Sequence, residues 1–213
     1  ASAPCALEGR GQPLDAVRHR GAGMSRELVI LCADGTMRAV LGAFFARQFH
    51  HALGCAPFDF DVARDIFNDP LEKDGGVHRR SHEILRQFLT THRRAMVVLD
   101  QQFGGERPAA AVRADIEGLL DANGWQDRRA VAVIDPELEV LLWQDNPHVE
   151  AALKYTGQPS LRQRLGNDGK WPANQPKPPA PKELIQALIK SHRAGPPVVV
   201  YSQIAQRVAT HGC

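Results

Sequence analysis

Carboxylates that close parallel strands converge on one edge of a sheet, and they tolerate one another best with a hard divalent cation between them. In this chain Asp34 follows the apolar run Leu28-Val29-Ile30-Leu31-Cys32, and Asp100 closes the run Ala95-Met96-Val97-Val98-Leu99. Glu137 and Glu139 follow a third apolar run from Ala130 to Ile134, with Asp145 a little further on. Magnesium or manganese held by Asp34, Asp100, Glu137, Glu139 and Asp145 would orient a phosphodiester and stabilise its developing negative charge, which is the basis of metal-dependent phosphoryl transfer. Asp34, Asp100 and Glu139 are the acid–base candidates within that set. Each also has a plainer reading, since an Asp after a strand often caps a helix or shapes a turn, and Glu139 can serve as a surface or structural residue.

Cations that could meet a phosphate are fewer. Lys177 and Lys182 flank a run of prolines that fixes the direction of a loop, which would let them reach over the sheet edge. Arg79 and Arg80, with Arg86, Arg93 and Arg94, form a basic group that could track nucleic-acid phosphates, or could be a solvated helix face held by ion pairs. His78 and His82 have the i, i+4 spacing of a metal pair, against the simpler reading of a solvated face. Trp143 and Trp171 are assigned to packing. No serine elbow, Walker loop or Gly-rich dinucleotide fingerprint is present, which disfavours hydrolase, ATPase and dehydrogenase readings.

These residues need a scaffold of alternating strands and helices. Leu28–Cys32 is a short apolar run closed by the turn signal Asp34-Gly35, as in a strand buried on both faces. A helix capped by Thr36 is expected to run to Gly54 on the spacing of Met37, Val40, Leu41, Phe44 and Phe45. Phe58–Val62 alternates like a half-exposed strand, Arg64–Gly76 reads as a loop, and a helix spans Val77–His92. The strand at 95–99, a helix from Pro108 to a stop at Gly124, and the strand at 130–134 complete an α/β domain with a mostly parallel sheet flanked by helices. Beyond it come helices at Glu137–Asp145 and Asn146–Lys154, a Pro-rich loop at Gly166–Pro181, and closing helices at Lys182–His192 and Val198–Val208, which together form a helical C-terminal appendage. The domain reading is 1–23 as a flexible extension with Met24 as the natural start, 24–145 as the α/β domain, and 146–213 as the appendage.

The bulk composition excludes little but points one way. A chain of 213 residues with 43% hydrophobic content builds one sizeable core, and 26 basic against 24 acidic residues leave no overall field to attract nucleic acid or a membrane. Cys5, Cys32, Cys55 and Cys213 form neither a CxxC pair nor a Cys/His cluster, which favours a reducing compartment. No run approaches the roughly 18 apolar residues of a spanning helix, and residues 1–23 lack the apolar centre of a secretory signal. A cytoplasmic protein without a membrane partner is expected.

Asp34-Gly35-Thr36 after the first strand, Val97-Val98-Leu99-Asp100, and the block from Pro136 to Asp145 (PELEVLLWQD) together resemble Toprim-like proteins of phage-defence loci. From Met24 to Cys213 the chain is similar to the small protein of that type in bacterial methylation-associated defence systems. Asn146-Pro147-His148-Val149, Pro159-Ser160-Leu161-Arg162 and Lys177-Pro178-Pro179-Ala180-Pro181-Lys182-Glu183 support the likeness. The resemblance implies a Toprim-like, Rossmann-like fold in a bacterial cytoplasm and a role in antiviral defence, as a divalent-metal-dependent nuclease or phosphoryl-transfer protein. Nucleic acid and other proteins of the defence system are the implied partners. Toprim enzymes carry a Glu after the first strand and an Asp-x-Asp after a later one, whereas this chain has Ala33-Asp34 and Asp100-Gln101-Gln102. Gln102 supplies no anionic ligand. Either Glu137, Glu139 or Asp145 completes a rearranged site, or the fold serves as a non-catalytic binding or assembly subunit.

Overall fold

The computed structural model describes residues 26–209 apart from 53, 70 and 106. The extension at 1–23 and the start at Met24 lie outside the described residues.

A four-stranded sheet of β1 (Arg26–Cys32), β2 (Ile66–Asn68), β3 (His92–Asp100) and β4 (Arg129–Ile134) has the order β2-β1-β3-β4. All of its pairings are parallel, with Leu31 opposite both Phe67 and Val97, and Asp100 opposite Ile134. Parallel pairing demands crossovers, and these cover both faces, which is why the strands read as unbroken apolar runs. Along β1 the period of two sends Ile30 and Cys32 into one core and Val29 and Leu31 into the other, and all four are fully buried. The second core is closed by α3 (Lys73–Leu85) and α4 (Ala109–Leu120).

The first core is the larger. α1 (Gly35–Phe45), α8 (Pro181–His192) and α9 (Pro197–Ala205) contribute Met37, Ile185, Tyr201 and Ile204 to it. The short helices α5 (Glu139–Leu142), α6 (Pro147–Ala152) and α7 (Leu161–Asn167) add Leu142, Val149 and Leu165. The helical C-terminal region therefore shares its apolar interior with the sheet. Trp143 and Trp171 meet edge to face at 5.4 Å inside it, in keeping with the packing role expected for them. Among the described residues no helix is long and apolar enough to cross a membrane.

Several local expectations need correction. Asp34, not Thr36, caps α1, accepting from Met37 N–H at 2.8 Å, and the helix ends at Phe45 instead of Gly54. Phe58–Val62 is not a strand; Phe60 packs against Phe45 at 4.9 Å, and Asp61 caps the single turn α2 (Val62–Asp65). The strand that does form, β2, lies within the stretch read as a loop. At three residues it is too short to carry a period. The helix expected from Val77 to His92 begins at Lys73 and gives way to a 3₁₀ turn at Arg86–Phe88, and His92 already belongs to β3. The stop at Gly124 holds, because its φ of +89° is a left-handed turn conformation that suits glycine.

Candidate functional site

In the order 2-1-3-4 the crossovers leave β1 and β3 toward opposite sides, and the crevice between their carboxyl ends is the switch point where open α/β sheets take ligands. A cavity of about 140 Å³ lies there. Ala33 and Asp34 after β1, Asp100 at the end of β3, and Leu138 and Glu139 after β4 line it from the sheet side. Thr36 and Met37 of α1, Lys182 and Gln186 of α8, and Pro197 and Tyr201 of α9 close the other side.

The acidic residues differ in how they are held. Asp34 Oδ1 is committed to the α1 cap. The Asp100 backbone N–H donates to Oδ1 of Asp74, in the first turn of α3, at 2.9 Å. Asp100 Oδ1, Glu139 Oε2 and the Tyr201 hydroxyl are each shut off from solvent, and the Tyr201 hydroxyl interacts with the Glu139 carboxylate and with Gln186. Unsatisfied buried polar atoms are costly and scarce in folded proteins. Asp100, Glu139 and Tyr201 all belong to the lining of this cavity, while other such atoms, those of Ser81 and Trp125 among them, lie elsewhere.

Electrostatics follow from that crowding. Burial pushes the Asp100 carboxyl up to about 8, with the charges of Asp74 and Glu139 adding to the rise, and the Leu138 backbone N–H and Lys182 opposing it. Burial likewise raises Glu139, against its own backbone N–H and Lys182. Asp74 is raised by burial and by Asp34, while the Asp100 N–H acts against the rise. The Tyr201 phenol is raised by burial and by the neighbouring Glu139 charge. Lys182 is held protonated against its own desolvation by Glu139, Glu137 and Asp100. Asp74, Asp100 and Glu139 thus form one crowded acidic group, with Asp34 near Asp74.

Several expected site residues lie elsewhere. Glu137 is buried, but its Oε1 accepts from Lys182 N at 3.2 Å and its Oε2 from Lys182 Nζ at 3.3 Å. It is a clasp between the end of β4 and the start of α8, not a cavity ligand. Asp145 sits exposed in the turn before α6, away from the cavity lining. Lys177 Nζ donates to the Trp143 carbonyl at 2.7 Å, which fixes the proline strap instead of offering a phosphate contact. Arg80 pairs with buried Asp69 at 2.7 Å, and exposed Arg79 pairs with Glu72. Both lie on α3 and neither lines the cavity. His78 bonds Asp115 at 3.1 Å, so the His78–His82 spacing does not make a metal pair. Lys182 is the expected cation that does reach the site.

Asp74, Tyr201 and Gln186 were not anticipated. Asp74 falls in the stretch read as a loop, although an acid beside Gly75-Gly76 ahead of a helical pattern is a recognisable first-turn signal. Tyr201 reads as one more apolar member of its helix. Only its polar tip sets it apart.

Among the described residues no group of three or more His, Cys, Asp or Glu side chains is arranged to hold a metal ion. An all-protein cage is therefore not built here. Magnesium, however, is commonly held by one or two carboxylates together with waters and substrate phosphates, and the carboxyl groups of Asp100 and Glu139, both in the cavity lining, suit that mode. Comparison with family models, curated proteins and solved structures gives no match.

Proposed function

We propose that this chain is a Toprim-like component of a bacterial antiviral defence system, and that it performs divalent-metal-dependent phosphoryl transfer or phosphodiester hydrolysis at the cavity between β1 and β3. The observation that carries the reading is the convergence of two desolvated carboxyl groups, those of Asp100 and Glu139, on one cavity at the switch point. A sequence that merely needed stability would place apolar or bonded groups there.

Asp100 and Glu139 are the residues that would hold magnesium or manganese. When bound, the cation neutralises charge on the phosphoryl oxygens. Asp74 fixes the backbone from which Asp100 projects, and Asp34 fixes the start of α1 along the cavity wall. Lys182, on the opposite wall, meets negative charge developing at the mouth. A cytoplasmic setting, a nucleic-acid substrate and partner proteins of the same defence system belong to this reading.

A second reading is a non-catalytic binding or assembly subunit with a degenerate site. It is favoured by Gln101-Gln102 in place of an acidic partner for Asp100, and by the commitment of Asp34 to its cap. The two readings part in a cleavage assay with end-labelled single-stranded and duplex DNA and RNA in magnesium or manganese. The enzyme reading expects turnover that chelator, Asp100→Asn and Glu139→Gln each abolish. No turnover on any substrate, or turnover untouched by both substitutions, contradicts it.

A further inference from the structure

A hydrogen-bonded chain of a hydroxyl, an imidazole and a carboxylate lies at the amino end of the sheet, outside the cavity. Asp65, the last residue of α2, is 0% exposed, and His92, the first residue of β3, is 3% exposed. His92 Nε2 meets Asp65 Oδ1 at 3.2 Å, and His92 Nδ1 meets the hydroxyl of Thr91 at 2.9 Å. Thr91 is the exposed member of the three.

The partners fix where the protons sit. Burial acts to raise the Asp65 carboxyl, but the Arg26 guanidinium, the Asp61 N–H and His92 hold it below the ordinary range, so it is ionised and only accepts. Nε2 therefore carries the ring proton. Burial lowers His92 despite the neighbouring carboxylate, so near neutral pH the ring is uncharged and Nδ1 is an acceptor. The Thr91 hydroxyl donates to it, its alternative acceptor, the Phe88 carbonyl, being further away at 3.4 Å. A hydroxyl that donates to a neutral imidazole whose far nitrogen is oriented by a carboxylate is arranged as an activated oxygen nucleophile.

The surroundings hold this geometry in place. Thr91 N–H donates to the Phe88 carbonyl at 3.1 Å, and the Thr91 carbonyl accepts from Arg26 N–H at 3.1 Å. Arg128 donates to the His92 carbonyl at 3.3 Å, and the Phe88 ring stands edge to face with the imidazole at 5.2 Å.

Independently of the reading given to the cavity, we infer that Thr91 is an acyl-accepting nucleophile toward activated carboxylic esters, with His92 as its general base and Asp65 as the residue that positions the ring. Thr91 Oγ1 forms a bond to the ester carbonyl carbon while its proton passes to His92 Nδ1. The bond to the leaving oxygen then breaks, and that oxygen takes the proton back from His92, leaving the acyl group on Thr91.

Acetylation of the full chain by p-nitrophenyl acetate tests this, located by peptide mass spectrometry so that Thr91 is separated from the cysteines and lysines that also accept acetyl groups. Exposed Thr90, one residue earlier, is the internal reference. Thr91 should be acetylated at least about a hundredfold faster than Thr90, the lower end of what a positioned base contributes. Thr91→Ser should keep the reaction at residue 91. His92→Gln should bring Thr91 down to the rate of Thr90, with circular dichroism verifying the fold. Asp65→Asn should lower the ratio of Thr91 to Thr90 acetylation, which a merely structural carboxylate would leave alone. Should either buried variant fail to fold, the ratios in wild type and Thr91→Ser decide the matter. No acetyl group on Thr91, equal rates at Thr91 and Thr90, or a ratio unchanged in folded His92→Gln overturns the inference.

Discussion

Asp74 and Asp100 are joined backbone to side chain, Asp100 N–H to Asp74 Oδ1 at 2.9 Å, so the carboxylate of one helix's first turn sets the position of another carboxylate at the end of β3. The bond ties α3 to the mouth of the sheet and places like charges near one another. Burial first, and then that juxtaposition, lift the Asp100 carboxyl to about 8.

Asp100→Asn should therefore stabilise the apo protein. A carboxyl whose folded pKa exceeds its unfolded value favours the native state while protonated, and that advantage is lost as pH rises from the unfolded pKa of about 3.9 through the folded value of about 8. Removing the charge has no benefit at pH 4 and its full benefit near pH 8. Each kcal/mol regained moves the melting temperature of a domain this size by roughly 2–4 °C. Thermal unfolding at pH 4, 6 and 8 in chelator should show a gain that grows with pH; a lower melting temperature for the variant at pH 8 would contradict it.

The opposite end of the sheet carries the opposite sign. Asp65 is fully buried, bonded by the Arg26 guanidinium, by His92 Nε2 at 3.2 Å and by the Asp61 N–H at 2.7 Å. Burial works to raise its carboxyl, but these partners together hold it below the ordinary range. His92 is lowered too, chiefly by burial. Both depressed values mean stability present at neutral pH and lost as pH falls, since protonation favours the unfolded chain. Asp65→Ala leaves the partly exposed Arg26 guanidinium and the buried His92 ring without their carboxylate and should cost about 1–3 kcal/mol. Urea unfolding should also show a flatter acid limb than wild type, and an unchanged acid limb would count against this cluster as the source.

Glycines divide in a testable way. A Cβ at Gly76 would stand 2.0 Å from Asp69 Oδ2 and 2.8 Å from the Glu72 Cβ, whereas one at Gly118 meets nothing within 4 Å. Gly76→Ala should destabilise by about 1–3 kcal/mol through displacement of the Asp69–Arg80 pair. Gly118→Ala, inside α4, should stabilise by about 0.5–1 kcal/mol. Denaturant midpoints of both variants check the pair, and equal shifts in the same direction would refute the packing account.

Much of this architecture was legible in the residues. The apolar runs of β1, β3 and β4 announced themselves because parallel strands are buried on both faces, and Asp34, Asp100, Glu139 and Lys182 line one cavity at the edge where those strands end. β2 escaped because three residues carry no period, and Asp74 escaped with it, since the site role of an acid in an apparent loop depends on where that loop begins its helix. Glu137 and Glu139 are two residues apart and looked equivalent. Their fates diverge because the turn into α5 aims one at the amino end of α8 and the other into the cavity. Tyr201 could not be separated from its apolar neighbours until the helix had a partner surface.

The most direct test of the central claim is calorimetric titration of manganese and magnesium into the purified full chain, beside Asp100→Asn and Glu139→Gln. Asp100 and Glu139 as the cation-holding pair predict saturable binding to wild type that each substitution abolishes without loss of fold. Wild-type protein that takes up neither cation, or variants that bind as well as wild type, would contradict it.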